Sequence, residues 1–102
     1  MNQGTDIQKI DKNVQWDMGQ RIQKARMKRG LSGADIGAYL DISTNQVSRI
    51  ENGRAKCTLE HIFILTQLLE CSADYLLFGI ELQPNFSPAQ VQCINALIAS
   101  FS

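Results

Sequence analysis

The sequence predicts an all-α fold, with five short helices in one compact domain and an additional C-terminal helix. First, 102 residues of which 44% are hydrophobic suffice for one core but not for two. Second, apolar residues recur at helical spacing through most of the chain. Third, Ser, Thr or Asp stands before these periodic segments, and Gly follows several of them, as is typical of helix starts and stops.

The N-terminal part, residues 1–16, is predicted to form either an arm or a short helix. Its signals are a Thr5–Gln8 capping pair and apolar residues at helical spacing, Ile7, Ile10 and Val14. Asp17 is predicted to cap the next helix, which ends at Gly30 and buries a stripe of three side chains. These are Met18, Ile22 and Ala25.

Two short helices joined by a tight turn follow. Ser32 is predicted to cap the first of them, and Asp41 occupies the turn. The second begins near Thr44 and has only two residues of the buried type, Val47 and Ile50. Its remaining side chains are polar, so this helix presents a polar free face.

The last two helices of the domain are also signalled by caps. Thr58 starts a helix that runs to Glu70, and its predicted buried residues are Leu59, Ile62, Leu65 and Leu69. Ser72 caps a short helix over residues 73–78 that Gly79 ends. Tyr75, Leu76 and Phe78 are predicted to fill the core there, and Trp16 to pack at the start of the domain.

A linker over residues 80–87 is predicted to lead into a helix over residues 88–102. Ser87, Pro88 and Gln90 form a helix-start signal. The helix has an apolar stripe and no charged residue, so it must pack against something. It either folds back on its own domain or, as we favour, pairs with a second copy. The predicted dimerisation residues are Val91, Ile94, Leu97, Ile98 and Phe101.

Charge is distributed unevenly although the formal net charge is zero. Residues 19–56 contain eight Lys or Arg and three Asp or Glu, whereas residues 57–102 contain four Asp or Glu and no Lys or Arg. A basic surface confined to one part of a neutral protein indicates phosphate binding on one side.

Other classes of function are not indicated. Three widely spaced cysteines favour neither a disulfide framework nor a zinc site, and a reducing cytoplasm is the expected location. No apolar run is long enough for a membrane helix. His61, the single histidine, has no ligand partners at a suitable spacing. We find no catalytic set and therefore expect no enzyme, metal or cofactor.

The most specific motif of residues 17–79 is the run Ser48-Arg49-Ile50-Glu51-Asn52-Gly53. It is accompanied by Arg26, Gly30-Leu31-Ser32, Ile36, Leu40, Ile42-Ser43, Val47, Asp74-Tyr75-Leu76-Leu77 and Gly79. On these residues, the two short helices are identified as a helix-turn-helix unit, and residues 17–79 resemble the phage repressor and Cro type of helix-turn-helix domain. That large family includes controller proteins of restriction-modification systems and many antitoxins.

The resemblance implies that the second helix of the unit enters the major groove of DNA. Base edges would then face Thr44, Asn45, Gln46, Ser48 and Arg49. The chemistry agrees, because Arg matches guanine, Asn matches adenine and a Thr methyl contacts thymine.

Phosphates would contact the loop after this helix and the start of the helix before it. We expect Asn52 and Gly53 to expose backbone N–H groups in the loop, and Arg54 and Lys56 to add charge. The predicted phosphate contacts are Ser32, Gly33, Asn52, Arg54 and Lys56. The family also implies a structural ion pair between Arg26 and Glu51.

Three positions depart from the family pattern. The family commonly has Gln at Gly33, where its side chain touches phosphate, and Ala at Gly37, where two helices approach closely. It usually has Gly at Asp41, where the turn takes a left-handed conformation that Asp tolerates less easily.

We therefore expect a transcriptional regulator, a repressor that binds a palindromic operator as a homodimer. The alternative is a protein-interaction module, antitoxin-like or antirepressor-binding, in which DNA contact is secondary. Its partner would be a protein antagonist or a toxin.

Overall fold

The computed structural model describes residues 7–81, and within that range every regular element is a helix. The all-α prediction is confirmed for this part of the chain. The predicted C-terminal helix lies outside the described residues, with its dimerisation residues Val91, Ile94, Leu97, Ile98 and Phe101, and so does Thr5 of the N-terminal capping pair. The helices are α1 (Lys12–Lys28), α2 (Gly33–Leu40), α3 (Thr44–Glu51), α4 (Leu59–Leu69) and α5 (Ala73–Phe78).

Side-chain caps set the start of each helix. Ser32, Thr58 and Ser72 cap α2, α4 and α5 as predicted. The prediction for α1 is wrong, because Asp11 and not Asp17 accepts the hydrogen bond that caps it, from the Val14 N–H. Both Asp residues precede helix-compatible sequence, and the sequence pattern alone does not choose between them.

The core lies between α1, α2–α3 and α4–α5, since each of these elements contributes buried side chains to a single cluster. A fully buried Leu76 joins α5 to this core. The full set is Ile22, Ile36, Leu40, Val47, Ile50, Leu65, Leu69 and Leu76.

Several apolar residues predicted to be buried are exposed. Leu59 is 86% exposed and Phe78 69%, because each lies at a helix end on the side away from the core. Trp16 is 48% exposed. Ile7 and Ile10 precede α1 and are exposed, so the short N-terminal helix suggested by their spacing does not form over residues 7–11.

The turn between α2 and α3 is tight in the way the sequence predicts. Asp41 adopts the left-handed conformation, with φ of 59°. At Gly37 a Cβ atom would lie 2.6 Å from the Ile42 carbonyl oxygen, so the helix and the turn approach more closely than any side chain at that position permits. This contact fixes where α3 leaves the turn.

Candidate nucleic-acid interface

The free face of α3 is a continuous polar surface. Thr44, Asn45, Ser48 and Arg49 are exposed, and Gln46 is partly exposed. The opposite face is anchored, because the side chains of Val47 and Ile50 are 2% and 4% exposed and lie in the core. The structure thus places all five residues predicted to contact bases on one outward-facing helix.

The start of α3 is fixed by Ser43, whose hydroxyl oxygen accepts a hydrogen bond of 3.0 Å from the Gln46 N–H. In α2, Ser32 and Asp35 form a reciprocal capping box, with bonds of 2.9 and 3.0 Å. The hydrogen bonds from Ser32 lower the pKa of the Asp35 carboxyl group. Both helices of the unit therefore begin at defined residues.

The end of α3 is held to α1 by Glu51, which is 3% exposed. Arg26 of α1 donates to both carboxylate oxygens, at 2.7 Å from Nε and 3.1 Å from Nη2. This geometry raises the pKa of the Arg26 guanidinium, chiefly through the hydrogen bond to Glu51. The ion pair implied by the resemblance is present.

Further bonds around Arg26 and Glu51 were not anticipated from the sequence. Arg26 Nη1 donates to the Leu31 carbonyl oxygen at 2.9 Å. Gln20 Nε2 donates to the Glu51 carbonyl oxygen at 2.9 Å, and Gln23 Nε2 lies 3.4 Å from Glu51 Oε1. Gln20, Gln23 and Arg26 follow one another at intervals of three positions and share one face of α1, which was the available signal.

Gly19 is a second feature that the sequence analysis missed. A Cβ atom at this position would lie 2.5 Å from the Glu51 carbonyl oxygen and 2.7 Å from its carbonyl carbon. The backbones of α1 and the end of α3 thus meet where α1 has no side chain. A glycine inside a predicted helix, where it costs about 1 kcal/mol relative to Ala, was the signal for close packing.

The Arg49 side chain does not extend freely from α3. Its Nη1 donates to Gln46 Oε1 and its Nη2 to the Arg54 carbonyl oxygen, both at 3.3 Å. The Arg54 N–H also donates to the Arg49 carbonyl oxygen at 2.7 Å. Arg49 therefore connects the polar face of α3 to the loop that follows it.

The loop after α3 corrects one prediction. The N–H groups of Asn52, Gly53 and Arg54 donate to carbonyl oxygens of α3 at 3.0, 3.1 and 2.7 Å. They are therefore not free to bind phosphate, because the C-terminal turn of α3 uses them itself. The Asn52 side chain also donates to Ser48, 2.8 Å from its carbonyl oxygen and 3.3 Å from its hydroxyl oxygen.

Two positively charged side chains in the same loop remain available for phosphate binding. Arg54 and Lys56 are both exposed, and the Arg54 side chain makes no ion pair among the described residues. With Arg49, they surround the C-terminal end of α3 with positive charge.

The start of α2 lies beside the start of α3. A Cβ atom at Gly33 would lie 3.5 Å from the Thr44 methyl carbon and 4.0 Å from a Val47 methyl. Ser32 and Gly33 are thus at the edge of the surface formed by α3. The Ser32 N–H and hydroxyl are both engaged with Asp35, so the Gly33 N–H is the free candidate phosphate donor, and Ser32 reaches a phosphate by turning its hydroxyl away from Asp35.

Other kinds of site are not seen in residues 7–81. That range contains no group of three or more His, Cys, Asp or Glu side chains arranged to hold a metal ion. His61 serves the capping box of α4 instead, with Nδ1 3.3 Å from the Thr58 N–H. None of the helices described here is long and apolar enough to cross a membrane.

Comparison with known proteins finds relatives among transcriptional regulators. Residues 22–76 match the family model described as helix-turn-helix. Repressor protein C2 of Salmonella phage P22 is 34% identical over 68 residues, which cover 67% of this chain and 32% of that protein. The HTH-type transcriptional regulator PrpR of Mycobacterium tuberculosis is 33% identical over 57 residues, which are 56% of this chain and 12% of that protein.

A solved structure supports the same comparison. The P22 c2 repressor in complex with a synthetic operator superposes on this chain with a TM-score of 0.58 and 33% identity. The match covers 62% of this chain and 96% of that one. The chain spans about a third or less of the length of PrpR and of the C2 repressor, so the similarity to these two regulators concerns the helical domain and not their remaining parts.

Proposed function

Since this chain belongs to the helix-turn-helix family of DNA-binding transcriptional regulators, which is not a class of enzymes, we propose that it recognises a specific double-stranded operator through α3 and represses transcription. The observation that carries this proposal is the polar outer face of α3, fixed by Val47 and Ile50 in the core and by Glu51 against α1. A rigid helix with a polar face is what recognition in the major groove requires.

Specific contacts are assigned by side-chain chemistry. Arg49 suits guanine, whose O6 and N7 accept two hydrogen bonds, and Asn45 suits adenine. The Thr44 methyl suits a thymine methyl, and Ser48 can donate to or accept from any base. Each good bidentate contact contributes about 1–3 kcal/mol of discrimination against the wrong base.

Phosphate contacts are assigned to the two borders of α3. Arg54 and Lys56 supply charge on one side, and Ser32 and Gly33 supply donors on the other. The Asn52 side chain is proposed to contact phosphate by exchanging its longer amide bond, to the Ser48 hydroxyl oxygen, for a phosphate oxygen, because the backbone N–H groups of the loop are already used. Such contacts position the protein without reading sequence.

We further propose that the protein acts as a homodimer on a palindromic operator. A monomer reads one half-site, whereas two copies related by a two-fold axis read an inverted repeat. The DNA-binding unit is assigned to the helical domain, whose last helix is capped by Gly79. Residues 80–87 are assigned to a linker and residues 88–102 to the dimerisation element. The P22 c2 repressor, similar over the helical domain, was solved with an operator.

The test is selection of bound sequences from a random duplex library. We expect an enriched inverted repeat, bound about a thousandfold or more above random DNA. Arg49→Ala should lose discrimination at one base pair of each half-site. Enrichment of no sequence, with only weak and salt-sensitive binding, would contradict the proposal.

A matched control is available on another surface of the same domain. Lys28 lies on a groove between α1 and the turn from α4 to α5, lined also by Arg29, Glu70 and Tyr75. Lys28→Gln removes one positive charge as Arg49→Ala does. It should leave the selected sequence unchanged.

A protein-interaction module is the second candidate function, favoured by exposed apolar side chains on α4. Leu59 is 86% and Phe63 67% exposed, one helical turn apart. In such a module the partner is a toxin or a protein antagonist. Ile94→Asp would then abolish function while half-site binding persists, whereas charge reversal at Arg49 would leave function intact.

A further inference from the structure

We propose that Gln46 positions the Arg49 guanidinium for a guanine, with the Arg54 carbonyl oxygen as the second support, and that Gln46 does not read a base itself. This inference rests on the proposed function, operator recognition by α3. It changes the role of Gln46 from a direct contact to a positioning residue. It also predicts which base pair depends on Gln46.

The first argument is geometric. Gln46 and Arg49 are three residues apart on α3, a spacing that places their side chains side by side. Arg49 Nη1 donates to Gln46 Oε1 at 3.3 Å. The Gln46 backbone is itself fixed, since its N–H donates to the Ser43 cap at 3.0 Å. The acceptor that Arg49 meets is therefore held on an anchored turn of the helix.

The second argument concerns the other end of the guanidinium. Arg49 Nη2 donates to the Arg54 carbonyl oxygen at 3.3 Å, and the Arg54 N–H donates back to the Arg49 carbonyl oxygen at 2.7 Å. The acceptor on this side is thus tied to the backbone of Arg49 itself. Two acceptors, one on each terminal nitrogen, fix both the position and the plane of the guanidinium.

The N–H groups of Arg49 that are not bonded to Gln46 or Arg54 suffice to recognise a guanine. A guanidinium has five N–H groups, and two are used by Gln46 and Arg54. Three remain, and a bidentate contact with guanine O6 and N7 needs two. Holding the long Arg side chain before binding also reduces the conformational entropy that is lost on binding.

Direct reading of a base by Gln46 would require its amide group to make different hydrogen bonds. Gln reads adenine by accepting from N6 and donating to N7 at the same time. In the structure its oxygen already accepts from Arg49. A Gln46 that turned to adenine would have to release Arg49, so the two roles predict different losses when Gln46 is changed.

The experiment measures base discrimination by Gln46→Ala and Gln46→Glu at every position of the selected site. In the wild type the Arg49-dependent guanine is expected to be preferred by about 5- to 150-fold. Gln46→Ala should reduce that preference several-fold and leave the other positions unchanged. Gln46→Glu keeps an acceptor for Arg49 and should retain the preference, although its negative charge weakens binding to all sequences.

A second readout needs no DNA. The NMR order parameter of the Arg49 Nε–H group in the free protein should fall in Gln46→Ala and be retained in Gln46→Glu. Asn45→Ala is the matched control on the same helix, since Asn45 makes no side-chain bond to Arg49 in the described structure, and it should not change this order parameter.

The outcomes separate this inference from the proposed function. Loss of an adenine preference in both Gln46 variants would show a direct reader and overturn the inference alone, as would unchanged guanine preference and Arg49 order in Gln46→Ala. A wild type without sequence preference would overturn the inference together with operator recognition.

Discussion

Arg26 and Glu51 form a bidentate ion pair that joins α1 to the end of α3. Arg26 Nε lies 2.7 Å and Nη2 3.1 Å from the two oxygens of Glu51. The Glu51 side chain is 4% and the Arg26 side chain 16% exposed. The orientation of α3 on the domain therefore depends on a buried charged contact as well as on apolar packing.

Removal of Glu51 is expected to destabilise the domain strongly. Glu51→Ala leaves the Arg26 guanidinium without its partner in a largely buried position, and the uncompensated charge costs about 3–5 kcal/mol. Glu51→Gln keeps a hydrogen-bond acceptor and should cost less. Urea unfolding followed by circular dichroism gives the free energy of unfolding of each variant.

The exposed ion pair between Arg29 and Glu70 is the matched control. Its atoms are 3.0 Å apart, but the side chains are 43% and 66% exposed. Glu70→Gln should change the free energy of unfolding by less than about 1 kcal/mol. Equal effects of Glu51→Gln and Glu70→Gln would contradict the importance given to burial.

The helix positions could be predicted from the sequence, because hydrogen bonds between residues close together in the chain determine where a helix begins. Ser32, Thr58 and Ser72 cap the helices that they were predicted to cap. The start of α1 was missed because Asp11 and Asp17 offer the same local signal. The burial of Leu59 and Phe78 was also mispredicted. Helical spacing shows which side of a helix is apolar, but it does not show how far along the helix that side remains covered by the core.

The candidate site was predictable as a polar helix face, but its internal contacts were not. The polar face of α3 follows from the pattern around Val47 and Ile50. The bonds that Arg49 makes to Gln46 and Arg54 depend on side-chain torsions and on a loop conformation, which no spacing rule specifies. For the same reason the N–H groups of the loop were wrongly expected to be free.

Gly19→Ala is expected to destabilise the protein although Ala is the better helix former. The added Cβ would lie 2.5 Å from the Glu51 carbonyl oxygen, so α1 and α3 must move apart. Overpacking of this kind costs about 1–3 kcal/mol, which exceeds the gain of about 1 kcal/mol in helix propensity. Thermal unfolding measures the net effect. A higher melting temperature for Gly19→Ala would show that the helices separate easily.

Arg54 and Lys56 are expected to determine the salt dependence of DNA binding. The logarithm of the DNA-binding constant falls linearly with the logarithm of the salt concentration. Removing one Lys or Arg that neutralises a phosphate should make this negative slope shallower by about 0.9. Arg54→Gln and Lys56→Gln should each make the slope shallower by about that amount and weaken binding to all sequences equally. Titration at several salt concentrations measures it. Lys28→Gln is the control, and an equal change in its slope would argue against an interaction specific to this loop.

Cys57 is expected to react slowly with alkylating reagents. Burial raises the pKa of its thiol from 9.0 to about 11, which reduces the thiolate fraction near pH 8 about a hundredfold. The thiolate is the reactive form. Iodoacetamide labelling followed by mass spectrometry of the Cys57 peptide should show slow modification in the native protein and fast modification in urea. Similar rates in both would contradict the burial of Cys57.

Gly33→Gln is expected to increase both stability and DNA affinity. Gly33 does not have a positive φ, and its added Cβ would lie 3.5 Å from the Thr44 methyl carbon, an ordinary contact. Replacing Gly at a position that tolerates a side chain stabilises a protein by about 0.4–1 kcal/mol. In the family that this chain resembles, a Gln here touches phosphate, and this amide would lie at the edge of the surface formed by α3.

Gly33→Ala separates the two effects, because it supplies the Cβ without the amide. Both variants should show the higher free energy of unfolding in urea, but only Gly33→Gln should bind DNA more tightly. Because a phosphate contact carries no sequence information, the gain should be similar for the selected site and for a random duplex at the same salt concentration. Equal affinities of the Gln and Ala variants would mean that the start of α2 lies too far from the DNA backbone for a side chain to reach it.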